Sequence, residues 1–295
     1  MAIQTEGKLN WLQRNLPEGL VVDAAWLERN DYSRPLRSQY VKSGWLDQPA
    51  RGIYRRPSAG FQPPQSATKG QGLLWQHVVI SLQTLLNLPV SVGGRTALEL
   101  QGFAHYLTAS GPREIHTYSD KPLPGWVSKL KLDTPLVFHN ARKLFKLSAI
   151  PHGSGLPNEN LLTAPSSGSD SVHGGFIRQS WGHWEWPLLM SAPERAILEL
   201  LDEVPQRETF HQADMLMEGL RNLSPRRLHT LLVDCRNVKV KRLFLWFAER
   251  HNHAWLNKLD RKGIDLGHGK RMLVRGGKLD TKFNITVPER LDAGG

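Results

Sequence analysis

Two capped helices and a pair of short strands in the first sixty residues, followed by a longer region mixing helical periodicity with strand alternation, predict a mixed α/β (α+β) protein. Residues 1–60 read as a winged helix-turn-helix, 61–72 as a linker, and 73–290 as a larger mixed α/β C-terminal domain. A chain of 295 residues, 40% of them hydrophobic, suffices for two cores of that size.

The first helix is placed at 3–15, with Ile3, Leu9, Trp11, Leu12 and Leu16 as apolar positions and Pro17 and Gly19 as its stop. Asp23 is a good N-cap for a helix over 24–30, and Ser33 for one over 34–43 that Gly44 closes. Trp45-Leu46 and Ile53-Tyr54, separated by a polar turn, then form a β-wing. Residues 57–72, with Pro63, Pro64 and three glycines among polar side chains, give the linker its composition.

Beyond it, residues 73–88 carry helix-compatible apolar spacing up to Pro89, 90–92 form a strand, and Gly93-Gly94 lead into a helix over 96–102. Residues 114–118, 136–138 and 176–186 alternate as strands, while 151–175 reads as a long loop and 204–208 as a short one. A short amphipathic helix occupies 193–201. Ser224-Pro225 start another whose Leu228, Leu231, Leu232 and Cys235 fall at i, i+3, i+4 and i+7. A helix over 240–249 buries Leu243, Phe244 and Phe247, and a hairpin of 271–275 with 282–287 around Gly276-Gly277 ends the chain.

The formal net charge is +11, and its distribution is uneven. Residues 1–70 carry 10 basic and 6 acidic side chains, 71–220 carry 11 and 14, and 221–282 carry 16 and 5, so the strongest positive field lies in the C-terminal part. Such a field fits a polyanionic partner or serves only to solvate the surface. The single Cys235 excludes an intrachain disulfide and a cysteine-based zinc site, which suits a reducing compartment. No signal-like N-terminus and no long apolar run occur, so cytoplasmic residence and no membrane association are expected.

A helix-turn-helix reads DNA when its second helix turns a polar, neutral-to-basic face outward and cationic groups flank it. With Leu36, Tyr40 and Val41 inward, the helix after Ser33 leaves Arg34, Arg37, Ser38, Gln39 and Lys42 for a groove. Arginine and glutamine suit guanine and adenine edges, while Ser33, Lys42 and the wing residues Arg51 and Arg55 suit phosphates. The same small domain could instead serve protein contact.

Trp26-Leu27, the helix from Ser33 to Ser43, and Val41-Lys42-Ser43-Gly44-Trp45-Leu46 with Arg51-Gly52-Ile53-Tyr54 resemble the N-terminal domain of AbiEi-type antitoxins. Residues 93–102, Ala192-Pro193-Glu194-Arg195-Ala196, Asp265-Leu266-Gly267 and Gly269-Lys270-Arg271 resemble that family's larger domain. The resemblance implies a non-enzymatic regulator that binds double-stranded promoter DNA and counteracts, directly or indirectly, a nucleotidyltransferase-like toxin. The antitoxin surface is then expected at Arg226, Arg227, Arg236, Lys239, Lys241, Lys270 and Arg271.

A nucleic-acid or nucleotide-processing enzyme with an appended winged helix is the competing reading. Twelve histidines, among them His251, His253, His173, His183 and His268, fall into no HExxH or other ligand spacing, so neither a metal nor a cofactor is expected. Gly93-Gly94 lacks the phosphate-binding glycine patterns, and a tight turn explains it as well. The tryptophans of 181–186 could stack bases, but their alternation fits an inward strand face.

Overall fold

The computed structural model describes residues 7–57, 73–103, 111–147, 150–152, 170–172, 174–182 and 185–291, and the chain is mixed α/β. The N-terminal unit runs α1 (Lys8–Asn15), β1 (Val21–Asp23), α2 (Ala24–Arg29), α3 (Arg34–Lys42), β2 (Asp47–Ala50) and β3 (Ile53–Arg55). Leu12, Leu16, Leu20, Trp26, Leu27 and Tyr32 fill the space between the helices. The Trp26 amide donates to the Asp23 side chain at 2.7 Å, making Asp23 the cap of α2. Ser33 stands at the N-cap position of α3 without a side-chain cap bond, and Gly44 turns the chain out of α3 at φ 75°.

The three strands form an antiparallel sheet in the order β1-β3-β2, the arrangement of a winged helix-turn-helix. Two details differ from the sequence reading. The first wing strand is Asp47–Ala50 rather than Trp45-Leu46, because the amides of Trp45 and Leu46 both return to the Tyr40 carbonyl and finish α3. The third strand, β1, comes from a short apolar run buried on both faces, which leaves no alternation to read.

The larger region contains α4 (Trp75–Thr84), β4 (Val90–Val92), α5 (Gly94–Leu100), β5 (Ile115–Ser119), β6 (Leu136–Asn140), α6 (Ala141–Leu144) and β7 (Asp170–Val172). It continues with β8 (Phe176–Trp181), β9 (Trp186–Ser191), α7 (Pro193–Glu203), α8 (Phe210–Gly219), α9 (Pro225–Asp234), α10 (Val238–His251), β10 (Lys278–Asp280) and β11 (Ile285–Val287). Six strands form a mixed sheet in the order β6-β5-β4-β9-β8-β7, with β5/β6 and β4/β9 parallel. The helix α7 lies at the centre, buried along Glu194 to Leu201 and packed on α5, α9 and α10. The apolar face read for α9 is the observed one: Leu228, Leu232 and Cys235 are fully buried and Leu231 nearly so.

Two further expectations are corrected here. The strand expected over 176–186 ends at Trp181 as β8 and forms a hairpin with β9, in which Trp181 opposes Trp186. The C-terminal hairpin pairs β11 with Lys278–Asp280 rather than with 271–275. Gly277 allows this crossing, since a Cβ there would lie 2.5 Å from the Val287 carbonyl oxygen. Arg271 meets Ile285 only in a single bridge.

The winged helix shares its core with the larger region. Val21 and Ile53 pack with Val78, Leu82 and Val90, and the Val21 amide donates to Ser81 Oγ at 2.8 Å. Gly19 adopts φ 82° and presses against His77, whose ring lies 2.8 Å from where a Cβ would sit. The linker expected at 61–72 lies outside the described residues.

Candidate nucleic-acid interface

Arg34, Ser38 and Lys42 recur at four-residue intervals along α3, with Gln39 beside them, and all four are exposed. No side-chain hydrogen bond or ion pair among the described residues engages Arg34, Gln39 or Lys42. Leu36, Tyr40 and Val41 turn inward, packing against the core. Arg51, exposed and without a side-chain partner among the described residues, stands at the tip of the β2–β3 turn, and exposed Ser33 lies at the opening of α3. Trp45, 44% exposed, follows α3 immediately and extends this face; the sequence reading assigned it to the wing strand.

Arg37 is not on that face. It is 4% exposed; Nη1 donates to the Ala24 carbonyl and Nη2 to Glu28 Oε1, both at 2.8 Å, and the guanidinium lies 5.8 Å from the Tyr54 ring centroid. The residue expected to read a base edge instead fixes α3 to α2 and the wing. Arg55 is half-buried and pairs with Asp47 at 3.1 Å across the wing, so it braces the hairpin.

The basic C-terminal residues divide in the same way. Arg226, Arg236, Lys270 and Arg271 are exposed. Arg227 donates to Glu194 Oε2 at 2.9 Å, tying the start of α9 to α7. Lys239 Nζ donates to the carbonyls of Asp202 and Val204 at 2.6 and 2.7 Å, and Lys241 is buried at 4% exposure. Half-buried Arg227, half-buried Lys239 and buried Lys241 are thus framework residues, contrary to their expected place on an open surface.

Two arginines that sequence reasoning did not single out organise the rest. Arg242, 2% exposed, donates to the carbonyls of Leu266, Gly267, Gly269 and Asn284, at 2.7 to 3.2 Å. It holds the loop that displays Lys270 and Arg271. Arg195 lies between Phe145 and Phe176, 4.2 and 4.3 Å from their ring centroids, and pairs with Glu199 at 2.8 Å with both side chains buried. Glu199 in turn accepts from the Gly94 amide at 2.9 Å. The glycine pair is therefore a close approach: a Cβ on Gly93 would collide with Glu199 and Tyr118.

The histidines make structural contacts. His251 bonds Asp214 at 2.7 Å, and His253 Nε2 bonds the Met217 carbonyl at 2.7 Å. His268 is exposed, while His173, His183 and Trp184 lie outside the described residues. Among the described residues, no group of three histidine, cysteine or carboxylate side chains could hold a metal ion. Burial pushes the Cys235 thiol up to about 11, which keeps it protonated. No helix among the described residues is long and apolar enough to cross a membrane.

No curated protein matches this chain. Among solved structures, the crystal structure of the RV2827C protein from Mycobacterium tuberculosis is 15% identical, with a TM-score of 0.47, covering 96% of this chain and 90% of that one. A family model for a transcriptional regulator, the AbiEi antitoxin N-terminal domain, matches residues 5–109, from the winged helix through α5. A second, for a transcriptional regulator, AbiEi antitoxin, of a type IV toxin–antitoxin system, matches residues 178–288. Together they take in well over half of the sequence, and the chain belongs to the AbiEi family of antitoxin transcriptional regulators of type IV toxin–antitoxin systems.

Proposed function

We propose that this protein represses its own promoter through α3 and the wing, and that its larger domain counteracts a nucleotidyltransferase-like toxin encoded with it. The observation that carries the DNA reading is the exposed polar stripe of Arg34, Ser38, Gln39 and Lys42, continued by Arg51 and engaged by no side-chain partner among the described residues. Arg34 and Gln39 have the donors and acceptors for base edges, and Lys42, Arg51 and Ser33 sit where phosphates flank a major groove. The winged helix, 61–72 as linker and 73–290 then divide the labour between operator and toxin.

The full-length chain should bind its own promoter duplex far more tightly than a shuffled duplex of equal length. In a gel-shift titration Gln39→Ala should lower that preference by about 1–3 kcal/mol, the worth of a bidentate base contact. Equal affinity for the two duplexes would remove the operator reading. For the toxin, Arg226, Arg236, Lys270 and Arg271 form the open basic set, able to steer an acidic surface or to compete for an anionic target. Reversing these four to glutamate should abolish rescue of cells expressing the toxin while promoter binding persists; full rescue by the folded variant would place antitoxicity elsewhere.

A further inference from the structure

A cleft of about 440 Å³ opens between α5, the start of β5 and the turn joining α7 to α8, and neither surface above uses it. On its lining lies the end of a hydrogen-bonded relay. Glu203 Oε1 is 3.3 Å from His139 Nδ1, and His139 Nε2 is 2.9 Å from His116 Nδ1. The Glu203 carboxylate, held below its ordinary range by the His139 hydrogen bond, can only accept. A neutral His139 with its proton on Nδ1, toward Glu203, presents a bare Nε2 to which His116 donates from Nδ1. That leaves His116 Nε2 as an acceptor, without a partner among the described residues, on a ring 5% exposed that lines the cleft. Burial, with His139 beside it, lowers His116 to about 4, so the ring is neutral and stays an acceptor at neutral pH.

The rest of the lining supplies the opposite chemistry. Arg113 is exposed and engaged by no partner among the described residues. Arg95 spends Nη2 on Glu208 at 2.5 Å, and its Nε, buried without a hydrogen bond, has Glu99 Oε1 4.0 Å away. Burial raises the Glu208 carboxyl to about 7 and lifts Glu99 as well, so the carboxylates beside Arg95 oppose an anion less than their number implies. Glu114, the remaining carboxylate of the lining, has Arg207 4.0 Å away. Pro112 and Pro135 give the cleft apolar wall against which a planar ring can lie.

We propose that this cleft binds a nucleoside phosphate, with the phosphate on Arg113 and Arg95 and a base or ribose N–H or O–H donating to His116 Nε2. Its volume lies in the range of small-ligand pockets, roughly 300–1,000 Å³. An ammonium ligand is disfavoured: its natural acceptors, Glu208 and Glu114, already face arginines. Because α5 belongs to the segment matched by the N-terminal family model and the α7–α8 turn to the other, such a ligand would bridge the two.

The test is calorimetric titration of the full-length chain with AMP, GMP, CMP and UMP, with their nucleosides, and with inorganic phosphate. At least one nucleotide should bind once per chain, with its nucleoside and phosphate alone each at least about tenfold weaker, as expected when two subsites act together. Arg113→Ala, an exposed change that should leave Tm unaltered, should weaken that nucleotide about tenfold, a lost charge-assisted bond. The nitrogen resonance of His116 Nε2 in the unmutated protein should shift on saturation. No nucleotide binding at millimolar concentration would overturn the proposal. So would binding that ignores Arg113→Ala, that leaves His116 unmoved, or that inorganic phosphate matches.

Discussion

Arg37 and Gln39 stand two positions apart on α3 and do different work. Arg37 points into the domain, where Ala24 and Glu28 accept its hydrogen bonds, and Gln39 points out. Arg37→Met should lower unfolding free energy by about 1–3 kcal/mol, because the half-buried Ala24 carbonyl loses its donor. It should also weaken binding to every duplex alike, through a loosened α3, and keep the ratio of operator to shuffled DNA. Urea melts together with paired gel shifts check both; a collapsed ratio with unchanged stability would return Arg37 to the groove.

His116 and Glu208, across the cleft, titrate in opposite senses. His116 falls from 6.5 to about 4 on folding, so its contribution is full above pH 6.5 and is lost as pH drops toward 4. Glu208 rises from 4.5 to about 7, so its contribution is full below pH 4.5 and is lost as pH rises through 7. Between pH 4.5 and 6.5 the two slopes oppose each other. Relative to the parent, Glu208→Gln should therefore gain stability with rising pH across that window, and His116→Asn should lose it. Parallel curves for the three proteins in urea titrations would contradict these shifts.

At the scale of elements, the loop over residues 265–271 depends on Arg242. Removing that guanidinium takes the side-chain donor from the carbonyls of Leu266, Gly267 and Gly269, and leaves Asn284 only the Arg271 amide. Arg242→Met should cost about 1–3 kcal/mol and speed amide exchange across the loop, whereas Lys270→Glu should leave both unchanged because Lys270 is exposed. Equal protection of the loop in the two variants would show that other contacts hold it.

Elements whose signals are local were legible in the sequence. The Asp23 cap, the Ser224-Pro225 start of α9 and that helix's apolar face all come from spacing within one turn or two. The capping box of Thr209 and Gln212 was equally available but went unread, so α8 was missed. What spacing cannot give is which charges go inside. Arg37, Lys239 and Arg242 look like surface residues because their acceptors come from other elements, so the expected interfaces included Arg37, Arg227, Lys239 and Lys241. The exposed faces at Arg34, Ser38, Gln39, Lys42 and Arg51 were read from helix and turn geometry alone, which long-range packing left open.

For the whole molecule, the winged helix and the larger region share buried contacts through β1, β3 and α4, so operator binding is best measured on the full chain. Net charge cannot separate the two basic surfaces, since the residues 221–282 carry the larger excess. Salt dependence can, because each phosphate neutralised adds about 0.9 to the slope of log affinity against log salt. The decisive measurement is that slope for the full-length protein on its promoter duplex, compared with Lys42→Ala/Arg51→Ala and with Lys270→Ala/Arg271→Ala. The account predicts that the first pair lowers the slope by about 2 and the second leaves it unchanged. A slope that falls only with Lys270 and Arg271 replaced would move DNA binding to the C-terminal surface and contradict the assignment of α3 and the wing.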